Sequence, residues 1–138
     1  MSGPFVADSS IALAWVHPSQ ANNLTRALME DVEAGAVIHV PGLWPLEIGN
    51  ALLVAVRRKL ITDAQRKAAL SLLSRLNVAL DAETASLAWT AISDLAAKHN
   101  LSVYDSAYLE LAVRKKLPLA SRDEALQRAG RREGVTVL

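Results

Sequence analysis

Four carboxylates, Asp8, Glu47, Asp105 and Asp123, occupy comparable places in this sequence. Asp8 closes the apolar run Phe5-Val6-Ala7, and Asp123 follows the run that ends at Ser121. Glu47 falls in the first turn of a helix expected after Pro45, and Asp105 in the first turn of one expected from residue 103. Singly, each reads as a helix starter, because a carboxylate there complements the macrodipole and the exposed amides. Jointly they are harder to place. Two carboxylates about 5 Å apart repel by roughly 3 kcal/mol at an effective dielectric near 20. Several on one edge would therefore need a cation or protons. Oxygen ligands without Cys or His suit magnesium or manganese. His17, His39 and His99 lack helical ligand spacing, and the absence of cysteine excludes disulfides, thiolate-bound zinc and iron–sulfur clusters. A divalent ion in such a site activates water and stabilises charge on a phosphate, so the pattern points to phosphoryl or phosphodiester chemistry.

The elements that would carry these acids follow from the apolar patterning. Strands are expected at 5–7, 36–40 and 118–121, with a weak one at 77–80 and a last one at 135–138. Helices are expected at about 20–34 (ended by Gly35), 45–59 with Pro45 in the first turn, 83–99 and 103–115, and after the 118–121 strand to Ala129. Thr62-Asp63-Ala64-Gln65 has capping-box form and opens a helix with Ala69, Leu72, Leu73 and Leu76 on one face. In the 83–99 helix, Leu87, Ala88, Ala91, Ile92 and Leu95 share a face; in the 103–115 helix, Tyr104, Ala107, Tyr108 and Leu111 point inward. Strands alternating with helices imply βαβ units and a parallel sheet covered on both faces, hence an α/β fold. Asp8, Glu47 and Asp123 then belong at the carboxyl edge of the sheet, where ligands bind. Asp105 joins them only if its helix begins at that edge.

At 138 residues the chain fits one domain, 1–138, and can bury an adequate core unaided. Lack of cysteine suits a reducing cytoplasm. No signal peptide is evident, and apolar stretches such as Ala51 to Val56 are too short to span a bilayer. The net charge of +1 conceals an asymmetry: residues 1–56 carry −4 and residues 57–138 carry +5. Arg57-Arg58-Lys59, Arg114-Lys115-Lys116 and Arg131-Arg132 form basic clusters. Solvated helix faces account for these, and so would a cationic rim that holds a polyanion.

The same residues carry a family resemblance. Val6-Ala7-Asp8-Ser9-Ser10 resembles the opening motif of the PIN domain, and Pro45-Leu46-Glu47-Ile48-Gly49-Asn50-Ala51-Leu52 is similar to the second. Tyr104-Asp105-Ser106-Ala107-Tyr108-Leu109 resembles the third, and Leu119-Ala120-Ser121-Arg122-Asp123 the fourth. The four occur in order and cover almost the whole chain, with the short extension Met1-Ser2-Gly3-Pro4 ahead of them. The resemblance implies a three-layer PIN fold with about five parallel strands between helices. It further implies a metal-dependent endoribonuclease of the VapC toxin type, using Mg2+ or Mn2+ to cut RNA. Asp8 and Asp105 would be the central metal ligands, and Glu47 and Asp123 would complete the acidic pocket, directly or through water. Ser9 and Ser121 match the small polar positions beside these acids. An antitoxin partner and a homodimer are implied as well. The helix after Pro45 is apolar almost all round from Ala51 to Val56, which fits either a fully covered helix or one that meets a partner.

Other functions remain open at this point. A PIN-like binding module without cleavage should have lost one of the four acids, and none is missing. A haloacid-dehalogenase-type phosphatase would want Asp where Ser10 stands, and a receiver domain would want Lys where Ser121 stands. No Gly-rich phosphate loop supports a small-molecule domain.

Overall fold

The computed structural model describes residues 3–138, so Met1 and Ser2 of the N-terminal extension lie outside it. Its elements run β1 (Phe5–Ala7), α1 (Ser9–Val16), a 3-10 turn (Pro18–Gln20), α2 (Asn23–Glu33), β2 (Ile38–Val40), α3 (Trp44–Arg57), α4 (Asp63–Ser74) and β3 (Val78–Leu80). Then follow α5 (Thr84–Leu87), α6 (Ala91–His99), α7 (Val103–Lys115), β4 (Leu119–Ala120) and α8 (Glu124–Arg132).

The strands form one parallel sheet in the order β3-β2-β1-β4. Right-handed crossovers fix which helices lie on which face. The path β1→β2→β3 moves one way, so α1 to α4 share a face; β3→β4 returns past β1, so α5 to α7 cover the other. Four strands are assigned where about five were expected. Among the described residues the final segment contributes only an isolated bridge, Leu119 to Val137, in which the Leu119 amide donates to the Thr136 carbonyl and the Leu119 carbonyl accepts from the Leu138 amide. The core is built from strand residues such as Phe5, Val6, Ile38 and Val40, all nearly inaccessible, with Ile11, Leu52, Leu109, Leu111 and Leu126 packed on them.

Local signals account for most helix starts. Asn22 with Thr25, and Thr62 with Gln65, form reciprocal capping boxes. Ser102 caps α7 and Asp123 caps α8. Pro45 lies in the first turn of α3. The expected 83–99 helix is interrupted: α5 ends at Leu87 and α6 starts at Ala91, with Thr90 at φ −132°, ψ −98°. The Ser93 hydroxyl bonds the Ala88 carbonyl at 2.6 Å and takes over a helical acceptor at the break. Tyr104, expected inward, is 66% exposed, because the first turn of α7 projects beyond the packed core.

Two ionic clusters brace α6 and α7. The Arg114 guanidinium on α7 donates to Glu110, to Asp81 just after β3, and to Glu83 before α5. Lys98 and His99 at the end of α6 both reach Glu133 at 2.7 Å. Helix α7 is capped at its C-terminus by Lys116, whose φ of +56° is left-handed. Glycine adopts that conformation freely, whereas an L side chain pays about 1–2 kcal/mol. Lys116→Gly should therefore stabilise the fold by about 0.5–1 kcal/mol, after the extra chain entropy of glycine is deducted. A urea titration at unchanged m-value checks this.

Candidate active site

The strand order reverses between β1 and β4, which start crossovers to opposite sides. An open α/β sheet has its natural cleft outside the carboxyl ends of such a pair. Asp8 follows β1 there and Ser121 follows β4. Asp8 is 4% exposed and is the N-cap of α1, its Oδ1 accepting from the Ser10 and Ile11 amides at 3.1 and 3.4 Å.

Two serines bind this carboxylate to the 121–123 loop. The Ser10 hydroxyl donates to Asp8 Oδ1 and accepts from the Arg122 amide at 3.0 Å. The Ser121 hydroxyl donates to Asp8 Oδ2 and accepts from the Asp123 amide at 3.0 Å. Each carboxylate oxygen is thus held through a hydroxyl to a backbone N–H of one loop. Gln127 on α8 steadies that loop by donating to the Ser121 carbonyl at 2.7 Å. Ser9 makes no side-chain hydrogen bond to this group among the described residues; Ser10 does. The Asp-x-Ser spacing is a capping signal that could have marked Ser10 in the sequence.

Glu47 lies in the first turn of α3, and Tyr108 on α7 donates its phenolic hydrogen to Glu47 Oε1. Asp105 lies in the first turn of α7, its amide bonded to the Ser102 hydroxyl at 3.0 Å. Asp123 caps α8 by accepting from the Leu126 amide at 3.0 Å.

Electrostatics shows that these acids share one environment. Burial raises the protonation range of Asp8; bonds from Ser10, Ser121 and Ile11 partly offset this, and the charge of Asp105 adds to it. Glu47 is raised by burial, relieved by the Tyr108 bond and raised again by Asp105 and Asp8. Asp105 is raised by burial and by Asp123, against the Ser102 bond. The phenol of Tyr108 is pushed far up by burial and by Glu47, so it stays protonated and can only donate through its hydrogen. Neighbouring carboxylates are among the groups that raise Asp8, Glu47 and Asp105.

The donors are carboxylate and hydroxyl oxygens, with no sulfur or imidazole, which fits a hard divalent cation. Among the described residues, no three His, Asp or Glu side chains converge closely enough to enclose an ion as they stand. The histidines lie elsewhere: His17 bonds Ser19, His39 is in β2, and His99 bonds Glu133.

A separate apolar groove of about 790 Å3 opens between α1, α3 and α4, lined in part by Leu13, Trp15, Ala51, Val54, Ile61 and Leu72. Helix α3 is therefore not covered all round; Leu53 to Val56 remain partly accessible. No helix among the described residues is long and apolar enough to cross a membrane.

Comparison with known proteins agrees with this arrangement. The family model described as PIN domain matches residues 5–132. Among solved structures, PAE2754 from Pyrobaculum aerophilum superposes with a TM-score of 0.68 at 22% identity, over 94% of this chain and 81% of that one. VapBC2 from Rickettsia felis, solved bound to a DNA fragment from its promoter, gives 0.66 at 14% identity, over 98% and 97%. FitAcB from Neisseria gonorrhoeae gives 0.61 at 16%, over 97% and 96%. Identities this low speak for the fold alone. No curated protein matches the sequence significantly.

Proposed function

Because the chain belongs to the PIN-domain family, we propose that it is a divalent-metal-dependent endoribonuclease that hydrolyses RNA phosphodiester bonds, and the toxin half of a toxin–antitoxin pair. The observation that carries the reading is the group of acids around Asp8, itself buried at the β1–β4 switch point: the charge of Asp105 acts on Asp8, those of Asp105 and Asp8 on Glu47, and that of Asp123 on Asp105, each raising the protonation range of its target. Such a group favours a cation strongly. Asp8 and Asp105 would hold Mg2+ or Mn2+, with Glu47 and Asp123 completing the pocket directly or through water. The ion would supply charge neutralisation at the scissile phosphate and a water made more acidic.

The chain's own residues do the rest. Ser10 and Ser121 fix both oxygens of Asp8. Glu47, half-buried and with its protonation range raised, is suited to take the proton of the attacking water. Arg122 is exposed between Ser121 and Asp123, its side chain bonded to Gln20 at 3.2 Å, and can pair with a backbone phosphate.

The partner reading also rests on the family. The groove beside α3 offers an apolar seat for an antitoxin peptide, with Arg58, Gln20 and Gln65 among its polar lining. Leu46, Leu80 and Trp89 are 78%, 53% and 87% exposed, and they suit a homodimer contact. Sedimentation of the purified chain as a monomer at micromolar concentration would count against the dimer.

The test is incubation of total cellular RNA with inhibitor-free protein in magnesium, in manganese and in chelator. Discrete fragments should form with either metal, vanish with chelator and return when metal is restored. Intact RNA under all conditions would favour a PIN-fold binding module instead.

A further inference from the structure

We infer that Tyr108 is a positioning residue for Glu47, holding its carboxylate in the acidic pocket so that one oxygen stays directed at the site. The inference rests on the reading of that pocket as a divalent-cation site.

Glu47 has an unusual environment for a flexible acid. Asp8 and Asp105 both act on it with like charge, and no salt bridge from Lys or Arg reaches it among the described residues. A glutamate in the first turn of a helix can swing its three-bond side chain outward into water, and repulsion favours that swing. One interaction opposes it. The Tyr108 hydroxyl makes the only hydrogen bond to the Glu47 carboxylate among the described residues, and it engages Oε1 alone. Oε2 carries no hydrogen bond among the described residues, so it is the oxygen open to a cation.

The anchor is rigid. Tyr108 is 1% exposed, packed within the core on α7. It lies three residues after Asp105 on the same helix, hence one turn away on the same face. The bond therefore sets Glu47 relative to Asp105 itself, although Glu47 comes from α3, 61 residues earlier. A buried phenol needs some acceptor for its hydrogen, and that need alone would be met by a backbone carbonyl. Here the acceptor is a pocket acid, so satisfying the phenol also orders the site.

The role of Tyr108 resembles that of the groups that orient metal ligands generally, whose loss typically lowers metal affinity or activity by about 10–100-fold. The experiment is a Mn2+ titration of the full chain, following free Mn2+ by electron paramagnetic resonance, for wild type, Tyr108→Phe, Glu47→Ala and the double mutant. Tyr108→Phe keeps the ring in the core, and a thermal melt checks the fold. Its affinity should fall about 10–100-fold, with no further loss when it is added to Glu47→Ala. Glu47→Asp keeps the charge and the phenol but shortens the reach by one methylene, and should lose affinity comparably. Unchanged Mn2+ binding in Tyr108→Phe overturns the inference, as does an equal loss in both backgrounds, which would place the effect outside Glu47. Failure of the wild type itself to bind Mn2+ removes the cation reading of the pocket, and the inference with it.

Discussion

Asp8→Asn should lower RNA cleavage by at least about 100-fold, the scale expected when one preorganised charged group is removed from a hydrolytic site, while making the protein more resistant to heat at neutral pH. The two effects have one cause. Burial and Asp105 raise the protonation range of Asp8 above its ordinary value of 3.8. An acid that holds its proton more tightly folded than unfolded makes stability fall as pH climbs from the unfolded value through the raised one. At pH 7 the ionised Asp8 thus costs stability, and a neutral amide of the same shape removes that cost. The amide oxygen can still accept from the Ser10 and Ile11 amides, and its NH2 can donate to Ser121. In chelator, the melting temperature of Asp8→Asn should exceed that of wild type at pH 7, and the gap should close as pH falls below about 4. Unchanged cleavage would remove Asp8 from the mechanism. A lower melting temperature at pH 7 would show that the lost hydrogen bonding outweighs the relieved charge.

Arg114→Met is expected to produce the largest loss of stability among single surface-accessible changes. Its guanidinium serves Asp81 and Glu110, whose side chains are only 6% and 7% exposed, as well as the exposed Glu83. Removing one partner of a buried ion pair costs about 3–5 kcal/mol. Arg114 is itself 23% exposed, so water will relieve part of the loss, and about 2–3 kcal/mol is the expectation. That corresponds to a melting temperature lower by roughly 10 °C. Here the pH sign is opposite to that of Asp8. Although burial raises Asp81, the bonds from Arg114 and Thr84 bring it below 3.8 overall. Its contribution is present above the unfolded value and is lost as pH falls through the folded one. The deficit of Arg114→Met should therefore be full at pH 7 and shrink in acid. A deficit independent of pH would mean that packing of the arginine stem, not its charge, holds α7.

The sequence was informative where the physics is local. Apolar runs mark β1, β2 and β4, and the capping box of Thr62 and Gln65 marks the start of α4, because a cap is a contact between residues three apart. The placement of Asp8, Glu47 and Asp123 at one sheet edge followed from topology, and the structure brings Asp105 into the same electrostatic environment. The break at residues 88–90 leaves no mark in the sequence, because apolar spacing runs on through it from Leu87 to Leu95. Tyr104 shares the stripe of Ala107, Tyr108 and Leu111, and periodicity alone does not say where a helix outruns its core. The bonds from Tyr108 to Glu47 and from Arg114 to Asp81 join residues distant in the chain, which no local pattern encodes. Ser9 and Ser10 are adjacent and alike in type, and the Asp-x-Ser spacing is the local sign that favours Ser10 as the tether of Asp8.

The bond from Ser121 to Asp8 closes a span of 113 residues. During synthesis Asp8 leaves the ribosome early, and its tether comes only when most of the chain has been made. Until β4 adds to β1, Asp8 lacks one of its hydroxyl donors, and the loop that carries Asp123 has nothing to lie on. The pocket therefore comes into being as a late step in translation and does not grow with chain length. Growing chains, and chains cut short before residue 121, lack the assembled pocket. On the ribonuclease function proposed above, this timing would keep the site unassembled while the message is being read.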